Sequence, residues 1–168
     1  MKKIILLVAI FAFGTMSVSA QKCMVINSEK IFKSVAAYND AVAQIERMAQ
    51  EYQKNIEDAY VEVETMYNDY MNQKQYLTPT QQQQRENAIL ETEQNIMEYQ
   101  ERMFGAEGEI LKKQVELIKP IQDRVFERID NYARANRYDL VLDVANNPMV
   151  IYFNPSTDKT DAIINIVK

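Results

Sequence analysis

The side chains that could do chemistry here are almost all carboxylates. The chain carries twenty-four Asp and Glu, one cysteine and no histidine. Two carboxylates converging on one point could serve as acid and base. The close pairs Glu62/Glu64 and Glu91/Glu93, however, stand two residues apart, a spacing that turns them to different sides of a helix. An Asp/Glu hydrolase is the minor alternative, and the acidic runs read as solvated faces. Without imidazole, histidine-dependent triads and most zinc sites are excluded, and Cys23 has no histidine to activate it. Cys23 cannot form an intramolecular disulfide. It reads as a strand residue, with an intermolecular bond or a redox role as the alternative. No G-x-G-x-x-G or P-loop pattern occurs, and Gly14, Gly105 and Gly108, the only glycines, offer no phosphate cradle. The expectation is a protein that is not an enzyme, needs no cofactor or metal, and works by contact.

Side chains suited to contact are plentiful. Tyr60, Tyr67 and Met71 in the first half, and Met97, Met103 and Phe104 in the second, are candidates to touch a partner. Aromatic rings offer large contact area at small entropic cost, and methionine adapts to irregular surfaces. The alternative is that the same residues complete packing within their own helices.

The elements that would position them are long. Residues 38, 42, 45, 49, 52, 56, 59, 63, 66 and 70 are Tyr, Val, Ile, Ala, Tyr, Ile, Ala, Val, Met and Tyr. This alternating four-three spacing is a heptad seam that requires a partner helix. A helix over 38–70 extends about 50 Å at 1.5 Å per residue, so it must project. Ser28 is the expected cap at its start. Thr78-Pro79 marks a reversal, with Thr78 as N-cap and Pro79 where its missing amide costs nothing. The return segment carries apolar doublets every seven residues: Ile89/Leu90, Ile96/Met97, Met103/Phe104, Ile110/Leu111 and Leu117/Ile118. Gly105 and Gly108 are expected inside that helix as weak points, and Pro120 as the cause of a bend near 116–119. All three are hinge candidates, with tolerated local weakness as the other reading. After a helix ending near Asn136, the runs Leu140-Val141-Leu142 and Val150-Ile151-Tyr152-Phe153, separated by Asn146-Asn147-Pro148, predict paired strands joined by one near Met24. A short helix from Asp161 closes the chain.

The expected fold class is therefore mainly α with a small β body, a long antiparallel coiled-coil-like hairpin projecting from a strand-containing base. Residues 21–37 and 121–168 form that base, and 38–120 form the arm with its tip near 76–80. Fewer than roughly 80 residues outside the arm make a thin core, so oligomerisation is expected to complete it.

Residues 1–20 stand apart. Lys2 and Lys3 precede an apolar run from Ile4 to Phe13, and Val18-Ser19-Ala20 suits signal peptidase, predicting a cleavable signal peptide and export. Removal of that segment leaves seventeen basic against twenty-four acidic residues, a net charge of −7. Nucleic acid is excluded as a general partner, since its recognition relies on basic surface.

The whole pattern resembles the Skp/OmpH family of periplasmic chaperones for outer-membrane proteins. The resemblance rests on Met24-Val25-Ile26-Asn27-Ser28-Glu29-Lys30-Ile31-Phe32, the central arm, Tyr138-Asp139-Leu140-Val141-Leu142-Asp143-Val144, and Val150-Ile151-Tyr152-Phe153-Asn154 with its final helix. It implies a periplasmic, ATP-independent holdase, a homotrimer whose arms enclose unfolded outer-membrane proteins. It assigns Met24, Ile26, Ile31, Phe32, Leu140, Leu142, Val144 and Ile151 to the body or subunit interface. The alternative is an exported structural or adaptor protein that uses its arm to bind one folded envelope partner. The family's well-characterised members have basic arm tips. Here residues 61–100 hold seven acidic and two basic side chains, which disfavours attraction to anionic membranes.

Overall fold

A computed structural model describes residues 21–168; the expected signal segment lies outside the described residues. The chain begins with the apolar strand β1 (Cys23–Ile26), which pairs in parallel with β2 (Leu140–Asp143), Cys23 opposite Leu140 and Ile26 opposite Asp143. The Lys22 amide donates to Asp139 Oδ2 (2.7 Å), the Asp139 amide returns a bond to the Lys22 carbonyl (2.7 Å), and the Lys22 ammonium lies 4.4 Å from the Tyr138 ring centre. Ahead of β2, Arg137 adopts a left-handed φ of 57° where the chain leaves its helix and drops back beside Lys22. β1 is covered on its other edge by Asp158–Lys159, whose Lys159 amide donates to the Val25 carbonyl (2.8 Å).

Between the two strands lie four helices. Helix α1 (Ser28–Lys33) is capped by Asn27, whose side chain accepts from the Lys30 amide, so the cap falls one residue before the expected Ser28. It does not run on into the arm. The Ser34 hydroxyl donates to the Ile31 carbonyl (2.7 Å), and β-branched Val35 is extended. Helix α2 (Ala36–Gln73) then carries the seam, with Ala41, Ile45, Ile56, Val63 and Tyr70 buried. A turn of 3-10 helix at Lys74–Tyr76 leads to α3 (Pro79–Phe104), which is started by Thr78 through a reciprocal capping box with Gln81. Helix α4 (Glu109–Ala135) returns to the base and buries Ile121, Val125, Ile129 and Ala133, one per helical turn. It passes through Pro120 without interruption. The last helix, α5 (Thr160–Val167), begins one residue before the expected Asp161. The fold is mainly α, with a two-stranded parallel sheet.

The body core contains Met24, Ile26, Ile31 and Phe32 from the beginning of the chain, Ala41 at the base of the arm, and Ile121 to Ala133 with Ile163 from its end. Thr160 is buried and accepts from the Asn27 amide (2.9 Å), tying α5 to the strand-helix junction.

One expectation for the base is corrected. Residues 150–153 form no strand, and Ile151 is 96% exposed. β1 already has neighbours on both edges, so this run could pair only with the outer edge of β2, and the Asn147–Val150 turn does not carry it there. Leu140 and Leu142 are exposed on that same open strand, whereas Val144 is half-buried.

Two carboxylates fix the ends of the sheet. Burial alone would push Asp143 up, but hydrogen bonds from Ser28 and Ala145 outweigh it and hold the carboxyl below its ordinary value of 3.8. At Asp158 burial is likewise outweighed, by bonds from Thr160. A depressed folded-state pKa contributes stability above the unfolded value that is lost as pH falls through the folded one. The melting temperature is accordingly expected to drop once pH falls below about 4, and the double variant Asp143→Asn/Asp158→Asn to lose part of that dependence. Thermal unfolding followed by circular dichroism across the acid range checks this; an unchanged acid dependence in the variant contradicts it.

Candidate functional site

The doublets of the return segment decide the character of the arm. Adjacent helical residues lie 100° apart, so only one member of each doublet can occupy the seam. In α3 the first member does: Ile89, Ile96 and Met103 are buried, while Leu90 (61%), Met97 (58%) and Phe104 are exposed. In α4 the next outward member, Leu111, is exposed as well.

The two helices of an antiparallel pair rotate in opposite senses when viewed from one end. Residues displaced in the same direction from each seam therefore share one face of the hairpin. On α2, Tyr60 and Tyr67 follow the seam residues Ala59 and Met66, on the side matching Leu90, Met97 and Phe104. Contacts fix which face this is. Phe104 packs edge-on against Tyr52 (centroids 6.3 Å apart) and lines a shallow groove with Ala49, Gln50, Gln53, Lys54 and Glu57. The opposite face is polar. There Asn55 donates to the Tyr99 hydroxyl (3.3 Å), Thr92 contacts Met66 Sδ (3.8 Å), and Asn55, Thr92, Asn95 and Tyr99 frame a smaller groove with Ile56, Ala59 and Ile96.

Toward the base the apolar face widens into a groove of about 710 Å³ between α2 and α4, lined by Tyr38, Val42, Ile45, Leu111, Val115 and Phe126, among others. Phe126 also meets Phe32 of the core edge-on (5.8 Å). From Leu90 to Phe126 the apolar strip runs on the order of 50 Å. At the tip the Tyr70 hydroxyl donates to Glu86, and Lys74 lies 3.8 Å from the same carboxylate. The bond to Glu86, together with burial, raises Tyr70 above its ordinary pKa, and contact with Tyr70 raises Lys74. Among the described residues no cluster of His, Cys, Asp or Glu is arranged to hold a metal, and no helix is long and apolar enough to cross a membrane.

The arm is jointed at the glycines. α3 ends at Phe104 and α4 starts after Gly108, so Gly105 and Gly108 are C-cap and N-cap, not helix-interior residues. Neither has positive φ. Close approach is the reason for glycine: a Cβ on Gly108 would stand 2.7 Å from the Met103 carbonyl oxygen, and one on Gly105 would strike Glu101.

The model of the OmpH-like outer membrane protein family matches residues 22–167. The chain belongs to the OmpH-like family. No curated protein matches it. The crystal structure of a candidate outer membrane chaperone (OmpH-like) from Caulobacter crescentus CB15 is similar in fold, with a TM-score of 0.68, 13% identity, and 92% of this chain and 88% of that one covered. At that identity the likeness speaks for the fold alone.

Within this OmpH-like fold the residues expected to touch a partner separate into two groups. Tyr60, Tyr67, Met97 and Phe104 lie exposed on the apolar face, and Met71 is exposed beside the tip. Met103 is a correction: it is 7% exposed and belongs to the seam, because its doublet partner Phe104 takes the outward position. Met24, Ile26, Ile31 and Phe32 are core residues. Leu90, Leu111, Val115 and Phe126 extend the face beyond the expected set. For Leu90 and Leu111 the sequence signal was the doublet itself. Val115 lies outside every doublet and had none, and Phe126 pairs with Val125 outside the seven-residue series.

This division has a measurable consequence. Met103→Ala should cost about 2–5 kcal/mol of stability, the usual range for truncating a buried methionine, and Met97→Ala less than about 0.5 kcal/mol. Urea unfolding of both variants checks it; equal losses contradict the assigned orientations.

Proposed function

We propose that the mature chain is an ATP-independent periplasmic holdase. It binds unfolded outer-membrane proteins along the apolar faces of its arms and prevents their aggregation. The observation that carries this reading is the row of exposed apolar side chains from Phe126 to Leu90, held on one side of an arm whose other side presents Asn55, Thr92 and Asn95. A soluble monomer rarely leaves so long an apolar surface uncovered without a binding role. Membership of the OmpH-like family supports the same reading.

β-barrel precursors in transit expose unpaired strands and apolar faces that associate with one another. A surface of Leu, Met, Phe and Tyr covers such segments without demanding a sequence. Each contact is weak, so many segments can be bound and released without nucleotide. A homotrimer, with arms around a shared cavity, completes the proposal. It is supported by the open edge of β2 with exposed Leu140 and Leu142, and by the exposed Ile151, all of which a neighbouring subunit would cover. The joint at Gly105–Gly108 lets the arms adjust to client size, while unbroken α2 acts as the spine.

Dilution of a denatured outer-membrane protein with a few-fold excess of the mature trimer should suppress the rise in light scattering. Replacement of Leu90, Met97 and Phe104 by serine should restore most of it. Full aggregation in the presence of the unaltered protein, or a monomeric mass by native mass spectrometry, contradicts the proposal.

A further inference from the structure

The apolar face has a rim on which carboxylates outnumber the cations Lys54, Lys112 and Lys119 that line its grooves. Glu46, Glu57, Glu64, Glu93 and Glu101 all lie on that side of the hairpin by helical spacing, and among the described residues none forms an ion pair. Glu57 accepts only from Gln53 (3.0 Å). The cations in these grooves pair with other carboxylates, Lys54 with Asp58 (2.5 Å), Lys112 with Glu109 (3.0 Å) and Lys119 with Asp123 (2.9 Å), while Lys74 lies 3.8 Å from Glu86 and Arg102 lies over Tyr99 of the opposite face (5.4 Å). The carboxylates alternate along the arm with Tyr60, Tyr67, Leu90, Met97 and Phe104, so a segment lying on the apolar strip passes within reach of several of them.

Resting on the holdase reading, we infer that this face selects unfolded segments in which Lys or Arg is interspersed with apolar and aromatic residues. Such a segment places its apolar side chains on the strip while its long cationic side chains reach outward to the rim, their methylenes still covering apolar surface. An acidic segment meets the same rim as like charge. An anionic lipid surface is repelled for the same reason. Selection acts through screened surface charge, so its size depends on salt.

Three labelled peptides with identical apolar and aromatic residues, and with Lys, Gln or Glu at the polar positions, distinguish the outcomes when titrated with the full mature protein by fluorescence anisotropy. The Lys peptide should bind about fivefold more tightly than the Gln peptide at low salt, the sum of two or three exposed pairs, and the difference should shrink at high salt. The variant Glu57→Gln/Glu64→Gln/Glu93→Gln/Glu101→Gln should lose that preference while binding the Gln peptide as before, a control that its fold is intact. Equal binding of all three peptides, or preference for the Glu peptide, overturns the inference and leaves the holdase reading standing. Binding of none overturns both. Gln-peptide binding that fades as protein concentration rises assigns the face to a second copy and likewise overturns the inference.

Discussion

Everything in this fold hangs on the parallel pairing of Cys23–Ile26 with Leu140–Asp143. Parallel neighbours cannot be joined by a tight turn, so the chain between them must leave the sheet and return. Here the excursion comprises the entire arm. Two short strands alone would not persist in water. They do so because the helices entering and leaving the excursion, with the last helix, pack Ile31, Phe32, Val125, Ile129 and Ile163 around Met24 and Ile26. The body is thus built from both ends of the sequence, and the arm is held only at its root.

That arrangement explains the one-sided arm. Near the root, α2 packs against α4 over the body; farther out, it has only α3. A two-helix hairpin can bury one stripe on each helix, and any further apolar side chain must face water or a partner. Ile89, Ile96 and Met103 fill the stripe on the return side; Leu90, Met97 and Phe104 are left over. The seam gives stability and the leftover members give the exposed apolar surface, with both encoded in the same doublets.

Much of this was legible in the sequence because the relevant signals are local or periodic. The unbroken four-three spacing from Tyr38 to Tyr70 gave the outgoing helix, and Thr78-Pro79 its end. Orientation within each doublet was not legible, since either neighbour could have faced the seam, and Met103 was accordingly placed outside. The strand expectation at 150–153 failed for a related reason: Val, Ile, Tyr and Phe suit a pleated surface but do not say whether an edge is available, and Asp158–Lys159 had taken the one beside Val25. The glycine joint read as weakness inside a helix because the crowding that requires glycine, between Gly108 and the Met103 carbonyl, depends on the bent geometry itself.

On the holdase reading one face of the arm meets clients and the other does not. Site-specific photocrosslinking tests it most directly, with the reactive side chain placed singly at Leu90, Met97 or Phe104 on the apolar face and at Asn55 or Asn95 on the polar face, in the presence of an unfolded outer-membrane protein. Adducts should form efficiently at the first three positions and only weakly at the other two. Equal adduct yields on both faces, or a preference for the Asn55 and Asn95 side, would contradict a one-sided client surface.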